Sequence, residues 1–450
     1  MSARSARSET TGPSSRTRDL IARDAAAVWH PFTQQSLWTS DEPIVVDRAA
    51  GMYFWDTDGN RYLDGVSSLW VNVHGHARPE IDAAIVDQLG RLDHTTFLGL
   101  THEPGIRLAE ALLAVAPAGL SRVFYAGDGA SAVEAALKIA YQAHAQNGAV
   151  RPLYAHVAEG YHGDTLGAVS VGGIDLFHRT YSSIMLETRV VSSPGLLARG
   201  QSRPDRAEEV VAELAGLLAA EGGQVGAVVV EPMVQAAGGM LTHDAAFLRG
   251  VRRLCDEHGV YLICDEVATG VGRTGRMWAV EHAGISPDLL TTGKGLTAGY
   301  LPLSAVLATE ELYEAFLGSS ESGRTFFHGH SYTANPLAAA AAVANLELMA
   351  AKGTVERAAE VGSAIGAQLS PLADYDGVVE VRRIGTMTGI EVASVGERTG
   401  FAVCQEARRH GVWVRPLGDV VVLMPPLAIG DGDLAELTGV VSDAIRTVVQ

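Results

Sequence analysis

One pattern limits the fold of this chain more than any other: runs that are apolar at every position alternate with amphipathic helical stretches. VGAVVVEP (225–232) is followed by LRGVRRLCDEHG (248–259), whose apolar residues recur at helical spacing, and then by VYLICDEV (260–267) and DLLTTGK (288–294). A strand with one wet face alternates apolar and polar residues, whereas a strand apolar throughout is covered on both faces. Helices crossing over a parallel sheet provide that cover. Earlier in the chain SRVFYAGD (121–128) leads into ASAVEAALKIAYQAHAQ (130–146), and PLYAHVAEGYHGD (152–164) repeats the passage from strand to turn. The expectation is an α/β fold with a mainly parallel sheet.

The flanks differ. IVVDRAAGMYFWDTDGNRYLDGVSS (44–68) alternates around Asp58-Gly59-Asn60, a turn signal, and predicts a β-meander. PEIDAAIVDQLGRL (79–92) and EPGIRLAEALLAVAP (103–117) have helical spacing, the second closed by Pro117, and a further helix is expected at about 207–220. From NPLAAAAAVANLELMAA (335–351) the pattern becomes a long helix followed by the strands VVEVRRI, TGIEVA and VVVLMPP, which suggests a smaller C-terminal α/β domain. The expected division is a disordered tail over 1–17, an N-terminal segment of the small domain over 18–75, a large domain over 76–335 and the rest of the small domain over 336–450.

Composition narrows the partners. With 47% apolar and 19% charged residues in 450, the chain has the profile of a globular enzyme. A formal charge of −18 argues against nucleic-acid and anionic-membrane partners, which need a basic face. Cys255, Cys264 and Cys404 are scattered and odd in number, so neither a disulfide framework nor a zinc set is visible and a cytoplasmic location is expected. No apolar run has the length of a membrane span, and the Ser- and Arg-rich opening lacks the centre of a secretory signal.

In open parallel sheets ligands bind beyond the carboxyl ends of the strands, and that is where the informative residues fall. Lys294 stands alone among small and apolar residues in LTTGKGLTAG. A lysine beside glycines is more often a solvent-facing loop residue, but a buried one loses its charge and can attack a carbonyl. Asp265 and Glu266 close an apolar strand; they could cap a turn, ligate a metal, or partner a protonated ring nitrogen, and no acid or histidine recurs nearby at ligand spacing. In AGDGAS the small residues Gly127, Gly129 and Ala130 lie at a helix start, where free N–H groups suit an anion. The loop lacks the lysine of a P-loop and the full dinucleotide spacing. Tyr161 and Asp164 in GYHGDT offer a flat ring and a carboxylate at another strand end, against the plainer readings of packing and a turn cap. A phosphate, an aromatic ring, a ring nitrogen and an aldehyde on one ligand would satisfy all four places. Pyridoxal phosphate has these features.

CDEVATGVGRTG, TTGKGLTAG and GYHGDT resemble the class III (ω-type) pyridoxal-phosphate aminotransferases, over a stretch from about Trp29 to the C-terminus. WHPFTQ, DGVSSLWVNVHGH, GYHGDTLGAVSVGGIDLFH, FFHGHSYTANP and VWVRPLGDVVVLMPP are similar to one biosynthetic branch of that class, which aminates a carboxylated ketone. The resemblance implies a fold-type I homodimer with active sites at the subunit interface and a small domain built from both chain ends. By motif position it implies that Gly129 and Ala130 hold the cofactor phosphate, with His330 and Ser331 reaching it from the neighbouring subunit. Asp265 would pair with the pyridine nitrogen, Tyr161 cover the ring and Lys294 bond the aldehyde. Phe32, Leu69, Trp70, Asp164 and Gly329 would line the substrate side, and Arg415 would bind the substrate carboxylate.

Ala130 stands where a Ser is common, which removes a hydroxyl but not the backbone donor; Phe32 and Leu69-Trp70 stand where members using S-adenosylmethionine often have a Tyr and a Trp-Trp pair, so S-adenosylmethionine and lysine both remain as amino donors. A broad ω-aminotransferase acting on diamines or β-amino acids is the second reading. A cofactor-binding protein without transferase activity is the third, and the absence of an appended DNA-binding segment weighs against it.

Overall fold

The computed structural model describes residues 12–450. A seven-stranded sheet forms its centre, in the order Leu120–Ala126, Ser304–Thr309, Leu289–Thr292, Tyr261–Asp265, Val225–Val230, Leu153–Val157, Thr188–Val191. Its strands are parallel except Ser304–Thr309, which runs antiparallel to both neighbours. Val225–Val230 is buried at every position, as a strand covered on both faces must be. The reversed strand was not foreseen.

Helices cover both faces. Gly129–Gln146 buries Ala132, Ala135, Ala136, Ala140 and Ala143, whose small side chains let it lie close against the sheet. The opposite face carries Arg203–Glu221 and Ala245–His258, which pack on each other through Leu214, Leu218, Leu248 and Val251. The first of these helices is longer than the expected 207–220.

The chain ends form the smaller body. Val46–Ala50, Tyr53–Asp56 and Arg61–Asp64 make the antiparallel meander, and Val412–Trp413 joins it by pairing parallel to Arg61–Asp64. Val378–Ile384, Met387–Val392, Val420–Leu423 and Arg415–Leu417 form a separate antiparallel sheet. Leu63 shares one apolar cluster with Val412, Leu437 and Val441, so the two ends have a common core. The chain is therefore α/β, with a mainly parallel large sheet and a small domain drawn from both termini.

Two boundaries differ from the expected division. A helix already starts at Ser15, with Ser14 Oγ capping Thr17 N–H, so residues 15–17 are helical rather than part of a tail; residues 1–11 of that tail lie outside the described residues. The helix Pro336–Lys352, assigned above to the C-terminal domain, buries Ala338, Ala342, Leu346 and Met349 in the core of the large sheet. Its Ala-rich sequence has no polar face to mark which body it joins.

Candidate active site

The carboxyl ends of the parallel strands open into a cavity of about 490 Å³. Asp265 is the last residue of its strand, Lys294 follows Thr292 by two, Gly129 follows Ala126 by three, and all three line the cavity. Tyr161, Asp164 and Trp70 line it as well. A second, more open groove of about 310 Å³, between the helices Thr354–Leu369 and Asp431–Val448, contains none of these residues.

Lys294 begins a 3-10 turn with φ at +42°, a left-handed conformation that a lysine adopts only when its surroundings impose it. Enclosure of the amine lowers its pKa, against the opposing pull of Asp265 and Glu231, and Arg273 adds to the lowering. The Trp70 ring lies 4.9 Å from Nζ. Trp70 itself has φ at +66°, and Ser67 and Ser68 before it also have positive φ. That turn is held by Asp64, which accepts Ser68 N–H at 2.8 Å, and by Ser67 Oγ, which donates to Met424 O at 2.7 Å.

Asp265 is fastened from three sides. Its Oδ1 accepts from Thr291 Oγ1 at 2.9 Å and Val267 N at 3.1 Å, and its Oδ2 accepts from His162 Nδ1 at 2.8 Å. Burial disfavours charge on His162, but the hydrogen bond and charge of Asp265, with Glu231 behind, outweigh it and hold the ring's pKa above the ordinary value. Glu231 is buried and accepts the N–H groups of Tyr161 and Ala236 at 3.0 Å each; burial pushes its pKa up to about 7. Glu266 turns away from the cavity and accepts from Thr269 Oγ1 at 2.6 Å and Val280 N at 2.9 Å.

At the helix start, Asp128 accepts Ser131 N–H at 2.8 Å, while the N–H groups of Gly129 and Ala130 belong to the first turn, where no intrahelical acceptor exists. The approach is close. A Cβ at Gly129 would stand 2.7 Å from Val267 Cγ1, and one at Gly163 would stand 2.3 Å from Ala130 Cβ. His330 lies beside this loop: a Cβ at Gly127 would be 3.3 Å from its ring, and His330 Nε2 is buried without a partner among the described residues.

Of the other expected site residues, Tyr161 donates from its hydroxyl to Asp164 Oδ2 at 2.9 Å, and burial followed by this bond raises the phenol's pKa. Asp164 therefore holds Tyr161 rather than capping the helix that starts after Thr165. Phe32 is exposed and meets Phe177 edge-on at 5.4 Å, which in turn meets Tyr161 at 6.2 Å. Leu69 is exposed. Phe32, Leu69, Gly329, His330, Ser331 and Arg415 are not among the cavity-lining residues of the single chain. Arg415 lies on the strand Arg415–Leu417, and among the described residues no carboxylate is bonded to it. His162, Glu231 and Thr291 were missed. For Glu231 the signal existed: like Asp265, it is a carboxylate at the end of a wholly apolar strand.

These groups fit pyridoxal phosphate. Unpartnered first-turn amides suit a phosphate, a buried carboxylate suits a protonated ring nitrogen, and an enclosed amine suits an aldehyde. Fold and cavity together define a fold-type I pyridoxal-phosphate enzyme.

Comparison with known proteins gives the particular family: the profile "Aminotransferase class-III" matches residues 36–445, and the chain belongs to that family of pyridoxal-phosphate-dependent aminotransferases. The adenosylmethionine-8-amino-7-oxononanoate aminotransferase of Nitratidesulfovibrio vulgaris is 48% identical, covering 97% of this chain and 83% of its own length. That of Geobacter sulfurreducens is 42% identical over 96% of this chain and 98% of its own. The crystal structure of the Methanocaldococcus jannaschii enzyme of the same name superposes with a TM-score of 0.91 at 36% identity, covering 96% of this chain and all (100%) of that one. An (S)-enantioselective omega-transaminase from Thermomicrobium roseum superposes equally well, TM-score 0.91, at 30% identity over 96% and 99% of the two chains.

Proposed function

We propose that this aminotransferase converts 8-amino-7-oxononanoate to 7,8-diaminononanoate, a step of biotin biosynthesis, with S-adenosylmethionine or lysine as amino donor. The observation that carries the chemistry is the enclosed amine of Lys294 on a cavity shared with Asp265 and the start of Gly129–Gln146. The choice of substrate is supported by relatives of that name at 48% and 42% identity over nearly the whole chain, against 30% for the omega-transaminase.

When bound, pyridoxal phosphate supplies an electron sink conjugated to the carbon that carries the transferred amine. Gly129 and Ala130 N–H would hold its phosphate, with His330 and Ser331 of the partner subunit, Tyr161 would cover the ring and Asp265 would keep the ring nitrogen protonated. Lys294 would bond the aldehyde at rest. When free of that bond, its amine would hold and move the proton at the donor's amine-bearing carbon and, in the second half of the cycle, at C7 of the ketone. Enclosure lowers the pKa of that amine, which favours its proton-free form. Arg415 would grip the substrate carboxylate with a bidentate pair. Phe32, Leu69, Trp70, Asp164 and Gly329 would shape the substrate side.

In this reading the enzyme is a homodimer with active sites at the subunit interface, working in the cytoplasm on small molecules. Supplying purified enzyme with 8-amino-7-oxononanoate and either S-adenosylmethionine or lysine tests it: 7,8-diaminononanoate from one donor is expected. No product from either, with turnover of simple diamines or β-amino acids, would move the reading to a broad ω-aminotransferase.

A further inference from the structure

The turn that begins at Lys294 is held from a distant part of the chain. Asn345, in the helix Pro336–Lys352, donates both hydrogens of its amide, one to Gly295 O and one to Leu296 O, each at 2.9 Å. Gly295 O also accepts Ala298 N–H at 2.9 Å, so a single side chain grips two successive peptide groups of the 3-10 turn Lys294–Thr297. Lys294 at one end and Ala298 at the other both have positive φ, which regular packing does not favour and which persists only under external constraint.

Asn345 is an anomaly in its own helix. The run Leu337–Met349 is apolar apart from Asn345 and Glu347; Glu347 reaches solvent and pairs with Arg107, whereas Asn345 is completely buried. Asparagine is a poor helix former, and its amide in an apolar interior is costly unless bonded. Close to it lies His74, also buried, whose pKa burial pushes down to about 4; its Nε2 and the Asn345 Oδ1 have no hydrogen-bond partner among the described residues.

We infer that Asn345 is a positioning residue for the reaction: its amide sets the orientation of the Lys294 turn and so the direction from which the amine enters the cavity. The contact ties the helix that follows the 329–331 segment to the residue that carries the proton. This rests on the role given to Lys294 above.

The test uses the cofactor-loaded enzyme and three proteins: parent, Asn345→Ala and Leu348→Ala. Leu348 is buried in the same helix and makes no hydrogen bond to the Lys294 turn. Alanine suits an Ala-rich helix, so Asn345→Ala is expected to fold. The readouts are kcat, KM, the melting temperature and the pH midpoint of the cofactor's visible band. Asp265, Glu231 and Arg273 are the charged groups facing the Lys294 amine, with Trp70 against it, and none of them is altered. Asn345→Ala is expected to lower kcat about tenfold with KM within about twofold, because misaligning a base costs rate rather than binding. It should also move the midpoint of the band by about half a unit or more as the amine changes surroundings. Leu348→Ala is expected to lower the melting temperature and leave the midpoint in place. An Asn345→Ala protein with the parental midpoint and kcat would overturn the inference, as would an equal shift in Leu348→Ala. If Asn345→Ala does not fold, the isosteric Asn345→Leu is read in the same way. A parent protein without a visible band would overturn the role of Lys294 itself, a result distinct from a coloured parent with an unmoved Asn345→Ala.

Discussion

His162 Nδ1 stands 2.8 Å from Asp265 Oδ2, and both side chains are almost wholly enclosed, at 1% and 5% exposure. The residue after Tyr161 thus supports the acid that faces the cavity, and two strand ends are joined by one charge-assisted hydrogen bond.

That pair gives a pH prediction. The folded-state pKa of His162 is raised, so its stabilising contribution is complete below the ordinary value of 6.5 and is lost as pH rises through the elevated pKa. In the cofactor-free protein, the stability difference between wild type and His162→Gln is expected to be largest below pH 6.5 and to shrink as pH rises above it. Thermal unfolding across that range measures it; a constant difference would show that the ring does not titrate there.

Lys294→Ala is expected to abolish turnover and the visible band of the bound cofactor while leaving the fold intact, since the side chain enters a cavity rather than a packed core. A variant with wild-type activity would remove Lys294 from the chemistry.

Arg415→Ala is expected to raise KM for the carboxylated ketone about 10- to 100-fold, the value of a bidentate charged pair, with a smaller effect on kcat. Steady-state kinetics with the ketone as varied substrate decides it. An unchanged KM would place the guanidinium outside the pocket.

Tyr161→Phe keeps the ring and loses only the hydroxyl bond to Asp164, which is solvent-exposed. Activity within about fivefold of wild type is expected, because an exposed hydrogen bond contributes little, whereas Tyr161→Ala removes the ring and is expected to weaken cofactor retention about tenfold or more. Dialysis against cofactor-free buffer separates the two.

Gly163→Ala places a Cβ 2.3 Å from that of Ala130, at a φ of +120°. The loop that carries the phosphate donors must then shift, and cofactor affinity is expected to fall about tenfold or more with only modest loss of melting temperature in the cofactor-free protein. Titration with pyridoxal phosphate gives the affinity.

The sequence by itself determined the α/β class, because a strand apolar at every position can only be covered on both faces. It also marked Asp265 and Lys294, since a charge where an apolar strand runs out has no packing reason to be there. Only the tertiary structure decided how those charges are held. His162, Glu231 and Asn345 are distant in sequence from the groups they support, and a lone polar residue in an apolar run looks the same whether or not it has a partner. Ser304–Thr309 shows the same limit: its apolar residues suit a buried strand, but hydrogen-bonding direction is set by how the preceding turn brings the chain back, which periodicity does not encode.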